Sequence, residues 1–408
     1  MKKGTIIVGA GQAGAQAATS LRQFGYDLPI VMIGDEPDAP YQRPPLSKTY
    51  LAGSTNAAEL GLKPEAFWST QNIELRLGQS VEQIDPTGKK VRLSDDGWLA
   101  FSDLILATGA RPRLLPVPGA ELDNIFVLRT LADADALKAA FGQDKKLVII
   151  GGGYVGLECA ATAIKAGMSV TLLEAEPRLL ARVAGEQLSD FFADVHRKAG
   201  VDIRLDERAI AFGGEGAVRS VTLQSGEELD ADLVLVGIGV IANEELAAEC
   251  GLACDNGIVV DDLCRTSNPN IYAIGDVSRH PNQIFAQNLR LESVHNAIEQ
   301  GKTAASNIAG RPKPYNQAPW FWSDQYDLKL QMVGLSSGYD QVVIRGDISK
   351  RAFAVFYLKN DVMIACDAVN SPAEYMGSRL MIGGQMTVDP ALLKNTDLPM
   401  KELLARFR

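Results

Sequence analysis

Short apolar runs punctuated by glycine set the pattern of this 408-residue chain. Thr5-Ile6-Ile7-Val8 is of β-branched type and reads as a strand. Gly9-Ala10-Gly11-Gln12-Ala13-Gly14 follows at once, then an apolar-periodic stretch, Ala17-Ala18-Leu21-Phe24, closed by Gly25. The order is strand, glycine turn, helix. Ile30-Val31-Met32-Ile33 reads as the next strand, with Asp35 and Glu36 behind it. The unit runs on through residues 91–93 to a buried strand at 103–106, which ends in the small residues Ala107-Thr108-Gly109-Ala110 before Arg111-Pro112.

The pattern then repeats. Leu147-Val148-Ile149-Ile150 is a strand, and Gly151-Gly152-Gly153-Tyr154-Val155-Gly156 keeps the first glycine spacing. Val170-Thr171-Leu172-Leu173 runs into Glu174, and residues 232–239 echo the strand at 103–106, with Gly237-Ile238-Gly239 at its end. Four features recurring in one order make an internal repeat, a stronger signal than either turn alone. Residues 270–276 read as one more buried strand ending in Gly275-Asp276. It would lie beside a first-unit strand if the second unit is inserted into the first. A helix is expected over 292–308. From Pro319 the pattern alternates as in strands, for example over 351–358, and the chain closes in an amphipathic helix, Met400–Phe407.

Each glycine has a job in a dinucleotide-binding βαβ unit. Gly9 and Gly151 permit the tight turn. Gly11 and Gly153 let a pyrophosphate approach bare backbone, and Gly14 and Gly156 let helix and strand pack closely. Free N–H groups at the helix start then favour phosphate charge. Asp35 stands 21 residues after Gly14 and Glu174 stands 18 after Gly156, where a ribose-binding carboxylate belongs. The expected fold is α/β, with two Rossmann-like domains and a smaller α+β domain. The domains are read as 1–112 with 245–318, 113–244, and 319–408. Two such folds imply two nucleotides, the usual pairing being a tightly held flavin and a transient nicotinamide.

Composition narrows the picture. No apolar run reaches membrane-helix length, and a strand by residue 5 leaves no room for a signal peptide. Five scattered cysteines suit a reducing cytoplasm. Forty basic against fifty acidic side chains, a net charge of −10, argue against nucleic acid or anionic membrane as partner. The three histidines are too scattered to suggest a metal site.

Arg43-Pro44-Pro45-Leu46-Ser47-Lys48, Ala107-Thr108-Gly109, Gly275-Asp276, Glu292-Ser293-Val294 and residues 319–325 (Pro-Trp-Phe-Trp-Ser-Asp-Gln) together resemble the NADH-dependent FAD ferredoxin reductases of oxygenase systems, over essentially the whole chain. The wider fold of that family is that of glutathione reductase. The resemblance implies FAD contacts from Gly9, Gly11, Ala13, Gly14, Asp35, Glu36, Arg43, Lys48, Val81, Ala107, Thr108, Gly109, Arg129, Asp276, Ser293, Val294 and Trp320. It implies NADH contacts from Gly151, Gly153, Tyr154, Gly156, Glu158, Glu174, Arg182, Ile238 and Gly239. Lys48, paired with Glu158, would place positive charge by the isoalloxazine. Tyr154 would act as an aromatic gate. Trp320, with Trp322 as second choice, would lie at the flavin edge. Glu174 favours NADH by repelling a 2′-phosphate, and no metal is expected.

No cysteine occurs in 38–60, and Cys250 and Cys254 read as buried small apolar residues, so a thiol relay is disfavoured. The expected partner is a two-iron ferredoxin and, through it, a terminal oxygenase. The alternatives are an oxygen-reducing NADH oxidase and a redox-sensing interaction protein like apoptosis-inducing factor. Residues 319–408 carry ten acidic and ten basic side chains, so the negative excess lies upstream. An acidic ferredoxin is expected to dock on Arg290, Arg311, Lys313 and Lys329 around the tryptophans.

Overall fold

A computed structural model describes residues 3–407. Two compact units divide the chain. One takes the chain up to Gln42, with Ala58–Arg111 and Ile241–Pro319. The other takes Arg43–Ala57, Pro112–Val240 and Trp320–Arg408.

The first unit is built on a sheet ordered Ile73–Leu77, Ile30–Gly34, Gly4–Val8, Trp98–Leu106, Lys90–Leu93, Val81–Asp85. Its core strands are parallel, and Ile271–Ala273 adds to the far side of Trp98–Leu106, with Ile271 opposite Leu104. The Gly4–Val8 strand is buried at every position, as parallel strands covered on both faces must be. Helix Gln12–Gln23 packs on helix Val294–Ile308. Gly301 permits the approach: a Cβ there would lie 3.0 Å from the Ala13 carbonyl oxygen. That second helix begins later than expected, because Ser293 is its cap and accepts the Asn296 N–H at 3.1 Å. Glu292 stays outside it.

The second unit repeats the plan with a sheet ordered Asp202–Arg204, Ser169–Leu173, Lys146–Ile150, Leu233–Val236, Ile125–Phe126, all parallel. A three-stranded antiparallel sheet follows at Ala209–Glu215, Ala217–Leu223 and Glu228–Asp230. The same unit carries the C-terminal five-stranded antiparallel sheet, ordered Trp320–Gln325, Leu328–Gly334, Val362–Val369, Ala352–Lys359, Gln341–Asp347, and the helices Pro372–Gly383, Pro390–Lys394 and Met400–Phe407.

The alternation expected over 351–358 is not what the strand shows. From Phe353 to Leu358 every residue is buried. The strand is flanked by a neighbour on each side, and Phe353, Val355 and Tyr357 join the core of Phe191 and Phe192 while the opposite face is covered as well. Among the described residues no helix is long and apolar enough to cross a membrane.

Candidate functional site

The two glycine turns have nearly the same geometry. Gly9 sits at φ +112°, and a Cβ there would fall 2.1 Å from the Ala107 carbonyl oxygen; Gly151 sits at +109°, with Gly237 oxygen at 2.3 Å. No L-residue other than glycine is at ease there. A Cβ on Gly14 would lie 2.1 Å from Gly9 oxygen, and one on Gly156 2.3 Å from Gly151 oxygen. Gly11 and Gly153 are different: an added Cβ would meet nothing within 4 Å. Each is an N-cap with no side-chain cap bond, so the first-turn N–H groups behind it are left for a ligand. Steric need and open backbone together fit a dinucleotide pyrophosphate at each turn.

Around the first turn, Asp35 is exposed and accepts the Glu36 N–H at 3.1 Å, and Glu36 accepts the Tyr41 hydroxyl at 2.5 Å. Ala107 and Val81 are buried, and Thr108 donates to the Asn243 carbonyl at 2.7 Å. Gly109 has φ +65°. Asp276 lies in the single turn Gly275–Val277 at the end of the added strand. Gln300, which the sequence reading missed, holds that turn: its Oε1 accepts from the Gly275 N–H and from the Ser278 hydroxyl, both at 2.7 Å. A Cβ on Gly275 would come within 2.9 Å of the Ala13 Cβ, so this turn abuts the start of the glycine-turn helix. Ser293 and Val294 form the cap and first residue of the helix that carries Gln300.

The second unit holds the remaining candidates. Arg43 donates to the Arg129 carbonyl at 2.7 Å. Glu158 is 3% exposed and lies in the helix Tyr154–Lys165 that starts at the second turn. Its carboxylate meets Lys48 Nζ at 2.7 Å, the Ser47 hydroxyl at 2.5 Å and the Ser323 hydroxyl at 2.6 Å. The pairing of Lys48 with Glu158 is therefore present, and a buried carboxylate so supplied with donors meets the usual condition for burying a charge. Both serines fall inside motifs that the sequence made visible, but 111 and 165 residues separate them from Glu158, and no local signal announces the contact.

Tyr154 packs on Phe321, with ring centroids 4.9 Å apart, and its hydroxyl donates to Met332 Sδ at 2.8 Å. Burial, reinforced by the negative charges of Asp367 and Glu158, holds that phenol well above its ordinary range. Glu174 is drawn into the second turn. One oxygen accepts the Gly152 N–H at 2.7 Å and the other the Glu176 N–H at 2.9 Å.

The two arginines that follow separate cleanly. Arg178 is consumed by structure, donating to the carbonyls of Ala184 and Ala181 and to the Ser189 hydroxyl. Arg182 lies beside Gly239, with Nη2 3.4 Å from where a Cβ would stand. Ile238 and Gly239 follow the Leu233–Val236 strand in the place that Thr108 and Gly109 occupy in the first unit. Trp320 and Trp322 stack at 5.7 Å, both half-buried, and the Arg379 guanidinium lies 5.5 Å from the Trp320 ring.

Two expectations need correction. Cys250 and Cys254 are half-buried rather than core residues, because Cys250 caps a short helix and Cys254 lies in the loop behind it; burial still raises both thiols, Cys254 to about 11. Arg290 is not a free docking cation: it pairs with Glu292 at 2.8 Å and donates to the Asp276 carbonyl at 3.2 Å. Arg311, Lys313 and Lys329 are exposed. Cys159 follows Glu158 directly, but it is wholly buried, and burial with the Glu158 charge raises its thiol, so no activated thiolate stands near Lys48.

Two dinucleotide turns of this geometry, a half-buried lysine on a buried glutamate and, among the described residues, no activated thiol fit a flavin- and nicotinamide-dependent oxidoreductase. The pyridine nucleotide-disulphide oxidoreductase model matches residues 3–301, and the reductase C-terminal model matches 320–404. Putidaredoxin reductase CamA of Pseudomonas putida is 44% identical over 406 residues, covering 98% of this chain and 96% of the relative. Rhodocoxin reductase of Rhodococcus erythropolis is 42% identical over 404 residues, covering 99% and 95%. The crystal structure of the covalent putidaredoxin reductase–putidaredoxin complex superposes with a TM-score of 0.97 at 43% identity, covering 100% of this chain and 99% of that one. The chain belongs to the FAD-containing ferredoxin reductases of the pyridine nucleotide-disulphide oxidoreductase family. Its cofactors are FAD and NAD(H).

Proposed function

We propose that this chain takes a hydride from NADH and delivers its two electrons singly to a two-iron ferredoxin that feeds a terminal oxygenase, a haem monooxygenase or a Rieske dioxygenase. The balance is NADH plus two oxidised ferredoxins giving NAD+, a proton and two reduced ferredoxins. Bound FAD supplies the conversion of one two-electron transfer into two one-electron transfers. The observation that carries the reading is the recurrence of the same open glycine turn in both units, with no activated thiol near Lys48 to divert electrons into a disulfide.

In this reading the first turn, Asp35, Glu36 and Asp276 hold the flavin nucleotide, and the second turn, Glu174 and Arg182 hold the nicotinamide nucleotide. Lys48 sets a fixed positive charge where electrons accumulate, and Glu158 keeps that ammonium in place. Tyr154 is held by Phe321 and Met332 until nicotinamide displaces it. Trp320 shortens the gap to the acceptor. Arg311 and Lys313 attract an acidic partner, with no contribution from Arg290. The cytoplasm is the compartment where NADH and reduced ferredoxin are available.

Cytochrome c reduction with and without added ferredoxin tests the assignment. Turnover should depend on ferredoxin and stay tied to NADH consumption. NADH consumption matched by oxygen uptake and indifferent to ferredoxin would establish the oxidase reading instead.

A further inference from the structure

Glu158 ends a longer chain of hydrogen bonds that runs through the second unit. Ser323 Oγ donates to Glu158 Oε1 at 2.6 Å, and Gln325 Nε2 donates to Ser323 Oγ at 3.1 Å. The Gln325 carbonyl oxygen faces His196 Nε2 at 2.8 Å, and the Tyr326 hydroxyl faces His196 Nδ1 at 3.0 Å. Ser323, Gln325 and His196 are each buried, with 1% exposure or less. Nothing in the reaction described so far uses the outer three residues.

The chain has one self-consistent polarity. A carboxylate accepts only, so Ser323 must donate to it. Ser323 must then be donated to, which turns the Gln325 amide nitrogen inward and its oxygen outward. The outward oxygen requires a proton on His196 Nε2, and the bare Nδ1 then takes the Tyr326 hydroxyl proton. Burial disfavours a charged His196 and outweighs the opposing effect of the Gln325 hydrogen bond, so the neutral ring with one defined tautomer fits. Reversing any member reverses all of them. The reversed chain would aim the Ser323 proton at Gln325 and leave two bare oxygens, Ser323 Oγ and Glu158 Oε1, facing each other at 2.6 Å. Networks of this kind hold together or fail together.

We propose that His196, Gln325 and Ser323 are positioning residues for the Lys48–Glu158 pair: the tautomer of His196 sets the Gln325 amide, the amide sets the Ser323 proton, and that proton fixes the carboxylate that holds Lys48. The inference rests on the reading that Lys48 serves the flavin. It assigns a function to a histidine that composition alone leaves as core or surface filler.

Three measurements on the FAD-loaded full chain test it. Nitrogen-15 NMR near neutral pH should find His196 neutral with its proton on Nε2; a proton on Nδ1 overturns the proposal whatever the variants do. His196→Leu and Gln325→Leu should slow flavin reduction by NADH about fivefold or more in stopped flow, with the NADH KM little changed. Both should also lower the flavin midpoint potential. His196→Gln, whose amide can donate to Gln325 and accept from Tyr326, should restore most of the rate. Glu158→Gln is the benchmark. If it leaves reduction and potential unaltered, the role given to the Lys48–Glu158 pair fails. If it slows reduction while Gln325→Leu does not, the pair stands and the positioning chain is wrong. Should a leucine variant fail to fold, the tautomer and the rescue by His196→Gln decide alone.

Discussion

The two glycine turns share their three glycines but fill the space beside the turn from opposite sides. Gly9 N–H donates to the Ile33 carbonyl and Gly151 N–H to the Leu173 carbonyl, each at 2.8 Å, so Gly34 stands where Glu174 stands. Ala10 likewise stands where Gly152 stands. In the first unit a Cβ on Gly34 would lie 2.6 Å from the Ala10 Cβ. In the second the side chain is missing at 152 and present at 174, and the Glu174 carboxylate takes the Gly152 N–H. One volume is filled from the turn in one unit and from the strand end in the other. In register the first unit's acids, Asp35 and Glu36, come one and two residues later than Glu174. The second unit's acid is part of the turn itself. In the reading proposed above, a tightly held and a transient nucleotide would meet the same steric frame with differently placed carboxylates.

The largest test of the shared frame is to add a methyl group where both turns forbid one. Gly9→Ala and Gly151→Ala each combine a disallowed φ with a Cβ about an ångström inside contact distance of a carbonyl oxygen. Each should cost at least ~2–3 kcal/mol locally. Gly9→Ala should yield protein depleted of FAD on purification. Gly151→Ala should keep its yellow colour and lose NADH-dependent reduction, while dithionite still bleaches it. Loss of FAD from both variants, or from neither, would break the division of labour between the turns.

A smaller and sharper test uses the open positions. Gly153→Ala adds a methyl group that meets no protein atom within 4 Å. Thermal stability should hold, and the NADH KM should rise at least about tenfold, because the pyrophosphate can no longer reach bare backbone. Gly11→Ala should show the matching loss of FAD affinity by titration of the apoprotein, again with the fold intact. A drop in melting temperature without a change in either affinity would mean that these glycines serve packing alone.

Much of this was open to reading from residues alone because its cause is local. A glycine needed for a positive φ keeps its spacing wherever the turn recurs, so both turns, the repeated strands and the added strand at Ile271–Ala273 are visible in the sequence. What depends on register or on distant partners is not. Asp35 and Glu174 look equivalent by counting residues, yet the strand register offsets them by one. Ser47, Ser323 and Gln325 lie in plain view within motifs, but only folding brings two of them onto Glu158. The strand at 351–358 looks half-exposed until a second layer covers its other face. Arg178, four residues before the chosen Arg182, carries no local sign that the carbonyls of Ala181 and Ala184 claim it.

The smallest effect belongs to the exchanged side chain. Glu174→Ala removes a carboxylate that binds two backbone N–H groups and would repel a 2′-phosphate. The wild-type protein should prefer NADH over NADPH in kcat/KM by at least roughly tenfold, ~1.4 kcal/mol. The variant should narrow that ratio, losing efficiency with NADH as the Gly152 N–H goes unpaired and gaining some with NADPH as the negative charge goes. Arg182, beside Gly239, is the candidate cation tested for receiving the extra phosphate, so Glu174→Ala with Arg182→Ala should lose the NADPH gain. Asp35→Ala is the matching change in the first unit and should leave the nicotinamide ratio untouched. A ratio unmoved by Glu174→Ala would leave that carboxylate with only its bond to the turn, and the choice of nucleotide would then have to lie with Arg182.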